Sequence, residues 1–146
     1  MIRLTDQPFD PGAELTRFCQ GRNRTGAVAS FVGLARGDDG EAAVLELEAY
    51  PGFTQGEVGK MAAAAAARFD LHEVTIIHRI GAIGVGDAIV LVLTAAAHRR
   101  EAFDACDFLM DYLKSRAPLW KKEHGPEGSR WVEPTARDMA DVQRWE

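Results

Sequence analysis

Three places along the chain set cations beside elements of defined structure, and each suggests a chemistry. The first is Ala97-His98-Arg99-Arg100, at the junction between an apolar β-rich run and a long helical pattern. Arginines in a first helical turn oppose the helix dipole by ~0.3–1 kcal/mol each. A bound anion would reverse that cost and use the free backbone N–H groups as well. The bland alternative, two arginines pointing into water, stands beside this one. The second place is the run Asp111-Tyr112-Leu113-Lys114-Ser115-Arg116-Ala117-Pro118-Leu119-Trp120-Lys121-Lys122, whose stretch from Lys114 to Lys122 carries four cations and no acid. Lys114 follows Phe103 by eleven residues and Met110 by four, which puts the three on one helical stripe beside the core face. Such a lysine can pack its stem and hold its amine in a cleft. Lys121, beyond the proline, can approach the same cleft from an extended segment. On spacing alone, lysines at a helix end are also ordinary partners of the helix dipole. The third is Arg36, at the end of an apolar strand, which by itself says little.

Other chemistries find no footing. His72, His78, His98 and His124 have no metal-ligand spacing among themselves or with the two cysteines, Cys19 and Cys106. Cys106 falls on a core stripe, where free cysteine acts as a small hydrophobe. There is no G-x-S-x-G elbow and no phosphate-binding glycine loop: the glycines from Gly81 to Gly86 lead into another strand and read as a hairpin connection. Asp107 and Asp111, four apart on one helix, are the one carboxylate pair that a Mg²⁺-dependent phosphoryl transfer could use.

The elements that must carry these side chains follow from pattern. Asp10-Pro11 reads as an N-cap with proline at the first helical position, opening a helix that ends near Gly21. Gly26 to Leu34 reads as a well-buried strand, Arg36-Gly37-Asp38-Asp39-Gly40 as a turn, and Leu45, Leu47 and Ala49 alternate with Glu46 and Glu48 as a strand with one wet face. Thr54 and Glu57 have capping-box spacing ahead of the helical stripe Val58, Met61, Ala62, Ala65 and Phe69. Val74–Ile80 and Ala88–Thr94 are β-rich. Arg99 to Arg116 forms the longest helix, with Ala102, Ala105, Cys106, Leu109, Tyr112 and Leu113 inward, and Pro118 stops it. A short strand at Trp131-Val132 and a final helix or arm reaching Trp145 close the chain.

The sum is an α+β fold, a mostly antiparallel sheet with packed helices, expected as one domain over residues 1–146. The 47% apolar and 27% charged composition is ordinary for a globular chain. The net charge of −5 argues against nucleic acid as a partner. No apolar run approaches the ~20 residues a membrane span needs, and the polar start Met1-Ile2-Arg3-Leu4-Thr5-Asp6 has no targeting pattern, so a cytoplasmic location and free thiols are expected.

These residues carry a likeness. Ile77-His78-Arg79-Ile80-Gly81, Gly86-Asp87, Ala97-His98-Arg99, Ala102-Phe103, Met110-Asp111-Tyr112-Leu113-Lys114, Arg116-Ala117-Pro118, Trp120-Lys121-Lys122-Glu123 and Glu127-Gly128-Ser129-Arg130-Trp131 resemble, in order, stretches of the catalytic (large) subunits of molybdopterin synthase. Tyr50-Pro51-Gly52 and Phe31-Val32-Gly33, in the strand leading to Arg36, do so too. The resemblance implies an α/β hammerhead with an added small antiparallel sheet. It implies a homodimer within a heterotetramer, each protomer holding a small ubiquitin-like sulfur carrier whose C-terminal Gly-Gly thiocarboxylate enters the active site. The implied reaction is sulfur transfer to cyclic pyranopterin monophosphate, giving molybdopterin, with no cofactor and no metal of the enzyme's own. Carried over by position, Lys114 and Lys121 are the catalytic residues, and Arg36, His98 and Arg99 line the substrate pocket. A scaffold that binds the carrier without catalysis keeps the same fold but needs neither lysine.

Overall fold

The computed structural model describes residues 1–37, 44–125 and 128–146. The elements run β1 (Ile2–Thr5), α1 (Pro11–Cys19), β2 (Ala27–Leu34), β3 (Val44–Ala49), α2 (Pro51–Phe69), β4 (Glu73–Arg79), β5 (Gly81–Ile83), β6 (Ala88–Ala96), α3 (Arg99–Ser115), β7 (Leu119–Gly125), β8 (Gly128–Val132) and α4 (Ala136–Gln143). They form two four-stranded sheets, ordered β1-β4-β6-β2 and β5-β3-β7-β8. All pairs are antiparallel except β1 with β4. This is the expected α+β arrangement, a helix-covered sheet with a second, smaller antiparallel one.

β4 and β6 are apolar on both faces because both faces are covered. Ile76, Val90 and Val92 pack with Val58 and Ala65 of α2 and with Ala102, Cys106, Phe108 and Leu109 of α3. Ile77, Leu91 and Leu93 turn the other way, onto Phe18 of α1. Of the α2 alanines, Ala65 is buried in this contact and Ala62 and Ala66 flank it, while Ala63, Ala64 and Ala67 face solvent. Leu45, Leu47 and Ile83 form a separate cluster with Ala35 on the smaller sheet.

Three expectations are corrected. The Gly81–Asp87 connection is more than a turn: β4 and β6 do pair, but β5 leaves between them and joins β3 in the other sheet. Gly81 and Gly86 sit at φ +80 and +90, the left-handed region that glycine enters freely, on either side of that excursion. β2 is not well buried. It is an edge strand, and Phe31, Val32 and Leu34 in its second half are 39%, 39% and 58% exposed. The Arg36–Gly40 turn falls partly outside the described residues, at Asp38, Asp39 and Gly40.

The third correction bears on function. Thr54 and Glu57 form no capping box, because Pro51 at the first helical position starts α2 three residues earlier, with Tyr50 at the cap. Thr54 is instead fully buried inside the helix. Its hydroxyl accepts from the Tyr50 N–H at 3.1 Å and donates to the Pro118 carbonyl at 2.9 Å. That bond fastens the start of α2 to the segment joining α3 and β7, which separates the two lysines. Thr54→Val keeps the shape and leaves the Tyr50 N–H and Pro118 carbonyl without it, so denaturant unfolding is expected to show a loss of about 1–3 kcal/mol with the secondary structure retained.

Candidate active site

Lys114 occupies the last turn of α3, one residue beyond buried Leu113. The helix closes at Arg116, whose N–H reaches the Tyr112 carbonyl at 2.8 Å, and Pro118 forces the chain to extend into β7. Lys121 then lies opposite Leu47 on one side and Val132 on the other. Directly opposed residues of antiparallel strands share a face. Lys121 therefore points with Leu45 and Leu47 toward the space between the sheets. Lys122 takes the other face, its amine 5.1 Å from the Trp131 ring centre. Register separates two adjacent lysines that the sequence lists as equals.

Two adjoining cavities share Lys114 and Lys121. The smaller, about 210 Å³, has walls that include Leu45, Leu47, Val90, Met110 and Leu113, with His78, Thr135 and Asp138 at polar points. The larger, about 530 Å³, adds Arg36 and Glu123 beside Phe31, Val32 and Val44. Lys121 is 3.8 Å from Glu123, which also holds Arg130 at 3.2 Å. Lys114 forms no ion pair among the described residues. Its side chain reaches solvent, yet protein crowds it on most sides. This desolvation lowers its pKa below the usual lysine value; the Lys121 charge pushes the same way and Asp138 partly opposes both. Two neighbouring ammonium groups in an apolar-walled hollow suit an anion, and Lys114 loses its proton more readily than a lysine in water.

Of the residues singled out in the sequence, Arg36, Lys114 and Lys121 are brought together, and Met110 joins them. Phe103 does not: it is 60% exposed and lines neither cavity. His98 and Arg99 are also apart. They start α3, and its 17 residues put roughly 25 Å between them and Lys114. β2 and β6 are antiparallel, with Ala27 beside Ala96 and Leu34 beside Ala88, so Arg36 and His98 leave opposite ends of the sheet. His98 makes no side-chain cap bond to the helix it precedes.

Asp107 and Asp111 are occupied elsewhere. Both bond Arg144, at 3.2 and 2.6 Å, and Asp111 also accepts from the Trp145 indole at 2.7 Å. They anchor the chain's end to α3 and line neither cavity. Cys106 is buried in the main core, and burial, with the Asp107 charge, pushes its thiol up to about 11. Little thiolate exists there at neutral pH.

His78 has no metal-ligand spacing in the sequence and is a site residue that spacing does not reveal. It is the one histidine in a strand otherwise buried on both faces, and that was the available signal. Its ring lines the smaller cavity, and its Nδ1 lies 2.8 Å from the Arg79 carbonyl.

The architecture has known counterparts. The family model described as MoaE protein matches residues 4–116. A protein of Caulobacter vibrioides named molybdopterin synthase catalytic subunit is 64% identical over 146 residues, spanning 100% of this chain and 97% of that one. The solved structure titled molybdopterin biosynthesis MoaE protein from Burkholderia ambifaria is 45% identical, with a TM-score of 0.84 and coverage of 99% and 97%. A complex titled subunits 1 and 2 of molybdopterin-converting factor, from Helicobacter pylori, shares the fold at 18% identity, with a TM-score of 0.74 and coverage of 93% and 91%. The chain and its fold thus fall among enzymes of molybdenum cofactor biosynthesis. Within that class, the chain belongs to the MoaE protein family, the catalytic subunits of molybdopterin synthase.

The burial of His78 has a consequence for acid stability. Desolvation lowers its pKa from 6.5 to about 4, outweighing the Arg79 carbonyl, and the Lys114 charge adds to the lowering. Below pH 6.5 the unfolded chain takes up a proton that the folded one refuses until about pH 4. Stability therefore falls with pH across that window, by roughly 3 kcal/mol in all, and is unaffected above it. Unfolding measured from pH 7 to 4 should show this decline in the unmutated protein and a shallower one in His78→Gln, since carboxylate contributions are common to both.

Proposed function

We propose that residues 1–146 form one catalytic domain that transfers sulfur from the C-terminal thiocarboxylate of a small ubiquitin-like carrier to cyclic pyranopterin monophosphate, yielding molybdopterin in the cytoplasm. The observation that carries this reading is the position of Lys114 and Lys121 on the seam between two cavities, where two anionic reactants can meet. Arg36 makes the larger cavity the more cationic one, suited to the substrate's phosphate. The smaller, apolar-walled cavity suits a narrow peptide terminus.

In this reading the thiocarboxylate sulfur attacks a side-chain carbon of the pterin and forms a C–S bond as the C–O bond at that carbon breaks. The oxygen leaves with the opening phosphate in one transfer and as water in the other. Water then splits the acyl–sulfur bond and releases the carrier as a carboxylate. A second carrier repeats the step, and the cyclic phosphate opens. Lys114 and Lys121 offset the anionic charge that builds in each attack and carry a proton to or from the opening phosphate. The lowered pKa of Lys114 brings its two protonation states closer in energy than those of an ordinary lysine. Sulfur arrives on the partner, so no thiol of the enzyme takes part, in keeping with the protonated core position of Cys106.

His98 and Arg99 cannot reach the cavities of their own protomer across the length of α3. We assign them to the cavities of a second copy, in a homodimer that carries one carrier at each end as a heterotetramer. A histidine and an arginine at a helix start, with free backbone donors behind them, suit the substrate's phosphate.

Two measurements test the reading. With thiocarboxylated carrier and cyclic pterin, Lys114→Ala should lose about 10²–10⁴-fold in turnover and Lys121→Ala somewhat less. Lys114→Arg should keep substrate binding but turn over poorly, because an always-protonated guanidinium holds charge without passing a proton. Near-normal turnover in folded Lys114→Ala sinks the catalytic assignment. Separately, Lys114→Ala and Arg99→Ala protomers, each inactive alone, should on mixing recover about a quarter of full activity, because half the dimers are mixed and each mixed dimer has one intact site. No recovery despite exchange of protomers would place Arg99 in its own protomer's site or outside catalysis.

A further inference from the structure

The smaller cavity holds a polar group that the proposed lysine chemistry does not use. His78 is 8% exposed, and its Nδ1 lies 2.8 Å from the Arg79 carbonyl. A carbonyl only accepts, so Nδ1 must carry the ring proton, and in the neutral ring Nε2 then keeps its lone pair. No group among the described residues bonds Nε2, and it is not among the side-chain atoms sealed from solvent without a partner. Since the ring lines the cavity, the unsatisfied lone pair belongs to the cavity wall.

We propose that Nε2 of His78 is the hydrogen-bond acceptor for a backbone N–H of the extended, side-chain-free peptide terminus that enters the smaller cavity. The inference rests on the sulfur-carrier reading above and names the contact that would seat the tail. A glycine tail offers only backbone groups for recognition. Between Leu45, Leu47, Val90, Met110 and Leu113 its N–H would lose water and gain nothing without an acceptor, and a buried unpaired donor is costly. A carboxylate would accept equally well but would repel the anionic tail end, whereas a neutral imidazole accepts without charge.

The charged groups around the ring pull in both directions, the lysines toward its neutral form and the carboxylates toward the imidazolium. Lys114 from α3 and Lys121 from β7 line the same cavity as cations, while Glu133 and Asp138 lie across it near the start of α4. On its own sheet, neighbours in register are uncharged, Leu4 on β1 and Val90 on β6. Burial dominates, holding the imidazolium form off until about pH 4.

The alternative source of the N–H is the pterin itself, and the test separates the two. The unmutated protein, His78→Gln and His78→Phe would be titrated with a synthetic peptide ending in Gly-Gly and, separately, with the cyclic pterin. A glutamine can present its amide oxygen near the Nε2 position; phenylalanine keeps the bulk and presents nothing. His78→Phe should weaken the peptide about tenfold, His78→Gln should recover most of that loss, and pterin affinity should stay within about twofold for both. Because a variant can misfold, ¹⁵N-histidine spectra of the unmutated protein give a second reading: Nε2 unprotonated from pH 5 to 8, shifting when the peptide binds. A proton on Nε2, equal peptide affinity in all three proteins, or a loss confined to the pterin overturns the inference and leaves sulfur transfer standing. Failure of the unmutated protein both to bind the peptide and to transfer sulfur would remove the functional reading itself.

Discussion

Two lysine ammonium groups share one apolar-walled hollow, and most of the structure around the site follows from holding them there. Like charges in a poorly hydrated concavity raise each other's energy, so the chain must fix their positions by other means. Lys114 is fixed by a helix whose inner stripe is buried against β6 and α2. Lys121 is fixed by pairing on both sides of β7. Between them lie the closing turn of α3 and Pro118, and the Pro118 carbonyl is held by the Thr54 hydroxyl. Among the described residues no carboxylate pairs with Lys114, whose desolvation Asp138 only partly offsets, and Lys121 has Glu123 only at 3.8 Å. The electrostatic cost is left standing in the free protein and is relieved when an anion enters. A chain of net charge −5 can thus attract anions to one place and repel them elsewhere.

What could be read from the sequence divides along physical lines. The stripe of α3 was legible because a helix repeats every 3.6 residues whatever it packs on, and its buried residues differ from expectation chiefly by Phe108. The neighbouring Lys114 and Lys121 were legible as a pair, since a proline break lets a helix end and the next strand share a cleft. Burial of β2 was not legible. Its apolar composition is the same at an edge as in the centre of a sheet, and only topology decides that Phe31 and Leu34 meet solvent. The three residues of β5 are too few to show a period, so their departure to the second sheet read as part of a hairpin. Thr54 misled because cap spacing describes a local bond, whereas its partner is 64 residues away.

The candidate site was legible as a set of residue types and not as a set of neighbours. His98 and Arg99 looked suited to an anion at a helix start, but nothing local states that the same helix carries Lys114 roughly 25 Å away. His78 lay in the opposite blind spot. As a lone histidine in an apolar strand it shows only that it lacks metal-ligand spacing, whereas in the structure its Nδ1 is satisfied by the Arg79 carbonyl. Only the cavity beside the ring shows the other nitrogen to be open.

The division between the cavities also bears on why the site contains cations and no working thiol. A sulfurtransferase that relays sulfur through its own cysteine needs a thiolate, hence an exposed, electropositive setting. Cys106 has the reverse, with an apolar core around it and Asp107 next to it, and its thiol holds its proton to about pH 11. Sulfur delivered as a thiocarboxylate is already anionic and nucleophilic on arrival. Under the proposed sulfur transfer the enzyme has to gather two anions, exclude water from one of them and supply charge where the new bond forms. Lys114, Lys121 and Arg36 are suited to the first and last of these tasks, and the leucine walls of the smaller cavity to the second.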